Sequence, residues 1–146
     1  MKGRFKAYNP SKYKGDPSNI CYRSSWELMV MRYLDKDKDI LEWASEEHII
    51  PYRSPIDGKT HRYYPDFFVR KADGCYILEV KPYHETIPPK IQTKATKSYV
   101  NAVRTYGVNE AKFEAATNWC KARGYRFQVL TEHDLGLYKG RGRRSQ

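Results

Sequence analysis

The sequence predicts a single-domain α/β fold, and three features of the 146-residue chain point to it. Apolar residues follow helical spacing after Ser24, short apolar runs of strand length come next, and helical stretches precede a last strand. A chain of this length buries roughly two-thirds of its unfolded surface in one domain. Its three cysteines form no Cys-x-x-Cys pair, which predicts free thiols, and no apolar run is long enough to predict a membrane span.

The first helix is predicted from its cap and its apolar face. Ser24 is a favourable N-cap, and Glu27 three residues later completes a capping box. The apolar residues at positions i, i+3, i+4, i+7 and i+8 are Trp26, Met29, Val30, Tyr33 and Leu34. This spacing predicts one buried helical face that ends before the charged run 35–39.

Four strand candidates follow, over residues 40–43, 48–52, 61–69 and 75–81. Pro51 places the second candidate at a sheet edge or a strand end, because proline cannot donate a hydrogen bond to a neighbouring strand. Residues 71–74 have turn chemistry, which predicts a hairpin between the last two candidates.

The chain after Pro82 is predicted to be an irregular loop followed by helices. The first predicted helix has Pro88 or Pro89 in its first turn, keeps helical spacing from Ile91 to Tyr106 and stops at Gly107. A helix capped by Asn109 that ends at Gly124 and a strand over 125–130 follow.

Positive charge is concentrated at the two ends of the chain, whose formal net charge is +10. Residues 1–14 and 139–146 hold nine of the 27 Lys and Arg residues and no acidic residue. We therefore predict a mobile basic arm at 1–18, a folded domain at 19–135 and a basic tail at 136–146. Tyrosines among the cations of the arm favour nucleic acid as a partner, and simple solubilising ends are the alternative.

The most informative segment joins Pro65-Asp66, after twelve intervening residues, to Glu79-Val80-Lys81. A hairpin at 71–74 brings Asp66 beside Glu79, and the period of two in a strand points Glu79 and Lys81 to one face. Two carboxylates and an ammonium group in one small volume suit a divalent metal ion and an attacking water. The segment therefore predicts phosphodiester hydrolysis.

The oxygen donors in this segment favour Mg²⁺ or Mn²⁺ over zinc. Asp66, Glu79 and the Val80 carbonyl would bind the ion, and Lys81 would orient the water or stabilise charge on the phosphate. The alternative is a strand-end acid beside an ordinary solvent-facing pair. Glu79 argues against it, because this acid interrupts the apolar run I-L-E-V, where an unneeded carboxylate is costly.

Other candidate residues have structural explanations of similar weight. Glu27 could reach the metal from the first helix, although its place in the capping box needs no further role. The candidate DNA-binding residues are Arg23, His61, Lys90, Lys94, Lys97, Arg141, Arg143 and Arg144. Each of these could contact a phosphate or simply be solvated.

Several other kinds of site have no signature in the sequence. It contains no glycine-rich phosphate loop, no nucleophile elbow and no zinc-finger spacing. Metal-dependent phosphodiester chemistry is therefore the main enzymatic prediction.

Two motifs, in residues 65–81 and 23–27, resemble those of a known family. Pro65-Asp66 with Glu79-Val80-Lys81 resembles the signature of PD-(D/E)xK nucleases, and residues 23–27 resemble the helix-one acid motif of their TnsA-like branch. The chain is also similar to the head completion nucleases of large contractile-tailed phages. Five stretches spread over residues 8–130 carry that similarity: Y-R-S-S-W-E, I-L-E-W-A-S-E-E, I-I-P-Y-R-S-P-I-D-G-K, R-Y-Y-P-D-F and L-E-V-K-P.

This resemblance implies a restriction-endonuclease-like fold with an αβββαβ core, in which helices flank a central mixed sheet. It implies Mg²⁺-dependent DNA cleavage by the residues matching Glu27, Asp66, Glu79 and Lys81. It further implies a role in finishing the DNA-filled head, in the host cytoplasm during assembly and at the virion head or neck, with DNA and portal or neck proteins as partners. A structural head-completion protein that binds DNA and the portal with little catalysis is the alternative, followed by a plain nucleic-acid-binding module.

Overall fold

The computed structural model describes residues 2–136, and across them the chain forms eight strands and two helices. The strands are β1 (Gly3–Arg4), β2 (Cys21–Tyr22), β3 (Ile40–Ser45), β4 (Ile50–Arg53), β5 (Thr60–Tyr63), β6 (Phe67–Lys71), β7 (Gly74–Val80) and β8 (Arg126–Leu130). The helices are α1 (Ser25–Lys36) and α2 (Lys97–Arg123), with short 3₁₀ turns at Pro10–Lys12 and Tyr83–Glu85. Neither helix combines the length and the apolar composition needed to cross a membrane.

A mixed four-stranded sheet in the order β3-β6-β7-β8 forms the centre of the fold. Strands β3, β6 and β7 pair antiparallel, and β8 joins β7 in parallel. A parallel neighbour requires a long crossover, which α2 supplies. The chain order α1-β3-β6-β7-α2-β8 confirms the predicted αβββαβ core and its mixed sheet.

The two faces of this sheet bury different apolar clusters. The cluster beneath α1 includes Val30, Met31, Leu34, Trp43, Phe67, Val69 and Leu78. The cluster on the α2 side comprises Ala44, Phe68, Ile77 and Cys120. Because side chains alternate along β7, Leu78 points toward α1, whereas Ile77 and Glu79 point toward α2.

Strands β4 and β5 form a separate hairpin between β3 and β6. The prediction of one strand over 61–69 is therefore wrong, since β5 pairs with β4 while β6 pairs with β3 and β7. Residues 64–66 carry the chain from one sheet to the other. They include Pro65, which has no N–H to donate to a continuous ladder. This break leaves Asp66 immediately before β6, at the end of the central sheet.

Helix α1 begins where the sequence predicts. The Ser24 hydroxyl accepts the Glu27 backbone N–H at 3.1 Å. The Glu27 carboxylate accepts the backbone N–H of Arg23 at 3.2 Å, whereas a capping box would use the N–H of Ser24. The cap therefore holds the Glu27 side chain over the residue that precedes the helix.

Helix α2 is one continuous element of 27 residues, where the sequence predicts two helices. Its N-cap is Thr96, whose hydroxyl accepts the Tyr99 N–H at 3.2 Å, so Pro88 and Pro89 lie outside the helix. Gly107 lies within it, and Asn109 is buried in its interior instead of capping a second helix. One internal glycine costs about 1 kcal/mol, which packing against the sheet and the β4–β5 hairpin outweighs. The predicted end at Gly124 is confirmed, with φ at 73°.

Residues 3–14 pack against the domain, so the prediction of a mobile arm is wrong for this segment. Strand β1 pairs with β2, and Phe5 is buried with its ring centroid 6.0 Å from that of Trp43. The buried Asp35 carboxylate accepts the backbone N–H groups of Tyr8 at 2.8 Å and Asn9 at 3.0 Å. These contacts fix in place a segment that the sequence analysis predicted to be mobile because of its charge. Of the predicted tail at 136–146, all but Gly136 lies outside the described residues.

Candidate active site

Asp66 and Glu79 meet at the end of the β6–β7 hairpin that lies opposite its turn. The Asp66 backbone N–H donates to Glu79 Oε1 at 3.2 Å, and the Val80 N–H donates to Asp66 Oδ2 at 2.8 Å. The strands pair in the register Phe67↔Leu78, so Asp66 and Glu79 are the next residues beyond that pair. The hairpin thus brings the two acids together as their spacing predicts.

Glu79 is an almost fully buried acid with a defined set of partners. It is 6% exposed on the α2 side of the sheet. The hydroxyl of Tyr63, from β5, donates to Glu79 Oε1 at 2.8 Å, and Lys81 Nζ lies 3.8 Å from Glu79 Oε2. One oxygen of each carboxylate therefore accepts hydrogen bonds. Within residues 2–136, no hydrogen bond reaches the other two oxygens, Asp66 Oδ1 and Glu79 Oε2.

Both carboxylates ionise with difficulty in this setting. Burial raises the pKa of Asp66 to about 7, and the negative charges of Glu79 and Glu27 act in the same direction, against the Val80 N–H and Lys81. Burial also raises the pKa of Glu79, although the Tyr63 hydroxyl and Lys81 oppose it. A pair of crowded acids with raised pKa values is typical of sites that receive a cation or a proton.

Lys112 is a site residue that sequence reasoning missed. Its Nζ lies 5.5 Å from the ring centroid of Tyr63 and 5.7 Å from that of Tyr52. Burial and the charge of Lys81 lower the pKa of Lys112, whereas Glu79 and Asp66 raise it, so this ammonium group interacts with the whole cluster. The signal was available in the sequence, since Lys112 shares the buried helical spacing of Asn109 and Ala116.

Tyr63 was missed for a related reason. Its strand was predicted to continue through Asp66, and such a strand would not carry the Tyr63 hydroxyl back over Glu79. The separate β4–β5 hairpin makes that contact possible, because it places Tyr63 on the α2 side, where the ring is 3% exposed. The hydroxyl remains protonated, since burial and the Glu79 charge raise the pKa of Tyr63.

Glu27 lies at the margin of the site. Its negative charge contributes to the raised pKa of Asp66, while one of its oxygens accepts the Arg23 N–H. Within residues 2–136, no three Asp, Glu, His or Cys side chains converge closely enough to form a metal-binding cluster. The structure therefore brings Asp66, Glu79 and Lys81 together and places Glu27 nearby.

The donors present fit a Mg²⁺ or Mn²⁺ ion. Magnesium is commonly held by one or two protein carboxylates, with water and substrate phosphate completing the octahedron. Asp66 Oδ1 and Glu79 Oε2 are carboxylate oxygens of that kind, and a bound cation would oppose the burial that raises the pKa of both acids. Two carboxylates without a third are thus sufficient for such an ion.

Glu46 borders the site in an unusual backbone conformation. Its φ is 51°, in the left-handed region that non-glycine residues rarely occupy, and its N–H donates to the Asp66 carbonyl at 3.0 Å. Its carboxylate forms an ion pair with Arg23. Arg23, a predicted DNA-binding residue, is therefore paired with the Glu46 carboxylate beside the site.

The other predicted DNA-binding residues that the structure describes lie apart from one another on the surface. His61 bonds the Asp57 carboxylate at 2.8 Å in the β4–β5 hairpin. Lys90 and Lys94 lie in the exposed segment between β7 and α2, and Lys97 is the first residue of α2. Arg141, Arg143 and Arg144 lie outside the described residues.

The mixed sheet, its crossover helix and the acids at the hairpin end define a protein of the restriction-endonuclease-like fold. The family of TnsA-like endonuclease N-terminal domains matches residues 37–132. The head completion nuclease of Enterobacteria phage T4 is 39% identical over 138 residues, which cover 91% of this chain and 92% of that relative. The chain belongs to the TnsA-like endonuclease family and is a nuclease. The family match includes Asp66, Glu79, Lys81 and Lys112, and it begins after Glu27.

Proposed function

We propose that this protein is a metal-dependent endonuclease of the PD-(D/E)xK type that cleaves DNA during completion of phage heads. The observation that carries the proposal is the contact between Asp66 and Glu79, with Lys81 Nζ 3.8 Å from Glu79 Oε2. The T4 relative, named a head completion nuclease, supports the biological setting. From that setting we infer that the protein acts in the host cytoplasm during assembly and at the virion head or neck. Its partners there would be portal or neck proteins.

Asp66 and Glu79 would hold Mg²⁺ through Asp66 Oδ1 and Glu79 Oε2, with the Val80 carbonyl as a further donor. Such an ion, when bound, polarises the phosphate and acidifies an attacking water. The Tyr63 hydroxyl and the Asp66 and Val80 N–H groups hold the other carboxylate oxygens, so both acids are oriented before substrate arrives. Preorganisation of this kind lowers the cost of reaching the transition state.

The two lysines and Glu27 complete the proposed assignment. Lys81 orients the attacking water or stabilises charge that develops on the phosphate. Lys112, from α2, favours ionisation of both carboxylates through its positive charge. Glu27 adds negative charge near Asp66, and it would both hold the start of α1 and support the metal site.

DNA is proposed as the substrate on grounds of charge. The net charge of +10 favours a polyanion, and Lys90, Lys94 and Lys97 are exposed along the segment that leaves Lys81. Arg23 and His61 would first have to leave the carboxylates of Glu46 and Asp57, so they are weaker candidates. Arg141, Arg143 and Arg144 remain sequence-based candidates for the same role.

The test is cleavage of linear, supercoiled and branched DNA with Mg²⁺, Mn²⁺ or EDTA. Asp66→Asn and Glu79→Gln keep the shape of each side chain and remove its charge, so each should lower cleavage at least about 100-fold. Glu114→Gln is the matched control, because Glu114 is an exposed acid on α2. DNA binding in EDTA should survive all three substitutions.

Two outcomes would contradict the proposal. Cleavage that continues in EDTA would exclude a metal-dependent mechanism. No cleavage of any DNA, with binding retained, would favour the structural head-completion role instead. Circular dichroism of each variant separates loss of chemistry from loss of fold.

A further inference from the structure

A second concave site lies between the N-terminal segment and the outer face of α1, outside the catalytic centre. The pocket has a volume of about 270 Å³. Phe5, Tyr22 and Leu28 provide its apolar surface, and Asp35 also lines it. Its other lining residues are one exposed tyrosine and four exposed cations: Tyr8, Arg4, Lys6, Arg32 and Lys36.

The pocket exists because Asp35 fixes the N-terminal segment on α1. The Asp35 carboxylate accepts the N–H groups of Tyr8 and Asn9, and its backbone carbonyl accepts Lys12 Nζ at 2.9 Å. Asp35 is 0% exposed. Two backbone N–H groups therefore hold its carboxylate inside the protein, and the four cations of the pocket outnumber this one acid.

The four cations of the pocket lack neutralising partners. Within residues 2–136, no carboxylate lies within ion-pair distance of Arg4, Lys6, Arg32 or Lys36. The positive charge of Arg4 helps to lower the pKa of Asp16, although hydrogen bonds from Ser18 contribute more. Arg32 and Lys36 are four residues apart on one helix, where like charges repel. A polyanion would relieve that repulsion.

Tyr8 gives the pocket an aromatic wall that the fold leaves uncovered. Its ring is 80% exposed, and Lys36 Nζ lies 5.0 Å from the ring centroid. Nucleic-acid bases stack on exposed aromatic rings, and adjacent cations contact the phosphates. An acidic protein would use the cations but has no need of the ring, so the combination favours nucleic acid.

We propose that this pocket is a second DNA-binding site, at which the cations bind phosphates and Tyr8 stacks on a base of a single-stranded segment. On α1, Lys36 lies nine residues after Glu27, roughly 13 Å along the axis and half a turn around it. The site is therefore separate from the catalytic carboxylates. This proposal extends the proposed function, because it gives the nuclease a second contact with its substrate.

The test measures DNA binding by the full chain in EDTA, where cleavage plays no part. Arg32→Gln with Lys36→Gln removes two cations and keeps good helix formers on α1. Lys59→Gln with Lys121→Gln removes the same charge from exposed residues outside the pocket. The probes are a fluorescent 20-nucleotide single strand and the matching duplex, each titrated at several salt concentrations.

We expect the pocket variant to bind the single strand about tenfold more weakly than the control variant. For the single strand, the slope of log affinity against log salt should fall by about 1.4, as expected for two lost phosphate contacts. Tyr8→Ala should weaken single-strand binding more than duplex binding and leave the salt slope unchanged, because stacking releases no counterions. Equal single-strand affinities of the pocket and control variants would overturn the proposal. That result would favour an acidic protein as the partner of these cations. Unchanged single-strand binding by Tyr8→Ala would overturn the stacking contact.

These outcomes are independent of the proposed catalytic function. A failed catalytic site would appear as loss of Mg²⁺-dependent cleavage with the binding difference intact. A failed second site would appear as equal binding by the two charge variants while Asp66→Asn still abolishes cleavage.

Discussion

Asp66 and Glu79 are held where their negative charges repel each other and are partly removed from water. Tyr63, Lys81 and two backbone N–H groups offset this repulsion in part. The pKa of Asp66 nevertheless rises from 3.8 to about 7. The folded state therefore binds a proton at Asp66 more tightly than the unfolded state does. Ionisation of Asp66 must destabilise the metal-free protein.

This linkage predicts that Asp66→Asn stabilises the metal-free protein at pH 8. The folded pKa is raised, so the ionisation penalty is absent below about pH 4 and grows as the pH rises toward 7. The stability gap between Asp66→Asn and wild type should widen by about 2 kcal/mol or more from pH 4.5 to pH 8. Urea unfolding in EDTA measures it. Glu114→Gln should show no such trend, and an Asp66→Asn protein that is less stable at pH 8 would contradict the linkage.

Lys112 should matter because its charge favours ionisation of both acids. Lys112→Met should lower cleavage about 10- to 100-fold and move the acid limb of the pH–rate profile to higher pH, since carboxylates without this neighbour lose protons less readily. Lys112→Arg should keep most of the activity. Lys121→Met, at an exposed position of the same helix, is the control. A rate loss without a shift of the acid limb would indicate a packing role between Tyr52 and Tyr63.

At the scale of elements, helix α2 links the site to the last strand without interruption. It carries Lys112 beside Glu79 and, one turn further, Ala116 beneath the β4–β5 hairpin. A break at Gly107 would separate the first turns of α2 from this packed region. The continuity of the helix therefore affects how firmly Lys112 is positioned.

Gly107→Ala tests this continuity. A Cβ at Gly107 would meet the Pro55 Cγ at 3.8 Å, an ordinary contact, and the position has no left-handed φ. Alanine in a helix interior is more favourable than glycine, so the substitution should stabilise the protein by roughly 0.5–1 kcal/mol in urea unfolding. If the helix instead ended at Gly107 with a left-handed φ, Gly107→Ala would destabilise the protein. Gly124→Ala, at a φ of 73°, should show that loss and serves as the comparison.

The elements also show what sequence patterns can predict. The cap at Ser24 and the turn before Gly74 depend on local chemistry, and the structure confirms both. The predicted apolar face of α1 is confirmed at Val30 and Leu34, but Tyr33 is 55% exposed and Met31, which the predicted face omitted, is buried. The adjacency of Asp66 and Glu79 follows from that same turn. Local patterns were insufficient where tertiary packing decides the outcome. Examples are the continuous α2 across Gly107 and the division of residues 61–69 between two sheets.

The site was predictable to the same extent. Asp66, Glu79 and Lys81 lie on one hairpin, so their spacing was sufficient to bring them together. Tyr63 and Lys112 reach Glu79 from β5 and α2, and no local rule sets the packing of those elements. A charged residue at a position of buried spacing was the common signal, and it was recognised at the buried Glu79 but not at the half-buried Lys112.

At the scale of the whole molecule, the N-terminal segment completes the core beneath α1. Phe5 belongs to the same apolar cluster as Met31 and Trp43, and its backbone N–H donates to the Ile20 carbonyl at 2.7 Å. The Asp35 clamp then orders residues 8 and 9. Residues 2–14, which include five Lys or Arg residues, are thus both part of the fold and one wall of the proposed second DNA site.

Phe5→Ala distinguishes this packed segment from a mobile arm. Removing a buried phenylalanine should cost about 3 kcal/mol in urea unfolding, because the lost contacts leave a cavity beside Trp43. Tyr8→Ala should change stability by no more than about 0.5 kcal/mol, since the Tyr8 ring is 80% exposed. A mobile arm would predict no effect of either substitution. Because Phe5 also lines the pocket, Phe5→Ala should weaken single-strand binding while keeping every cation. Such a result would show that DNA affinity depends on how the fold arranges these charges and not on net charge alone.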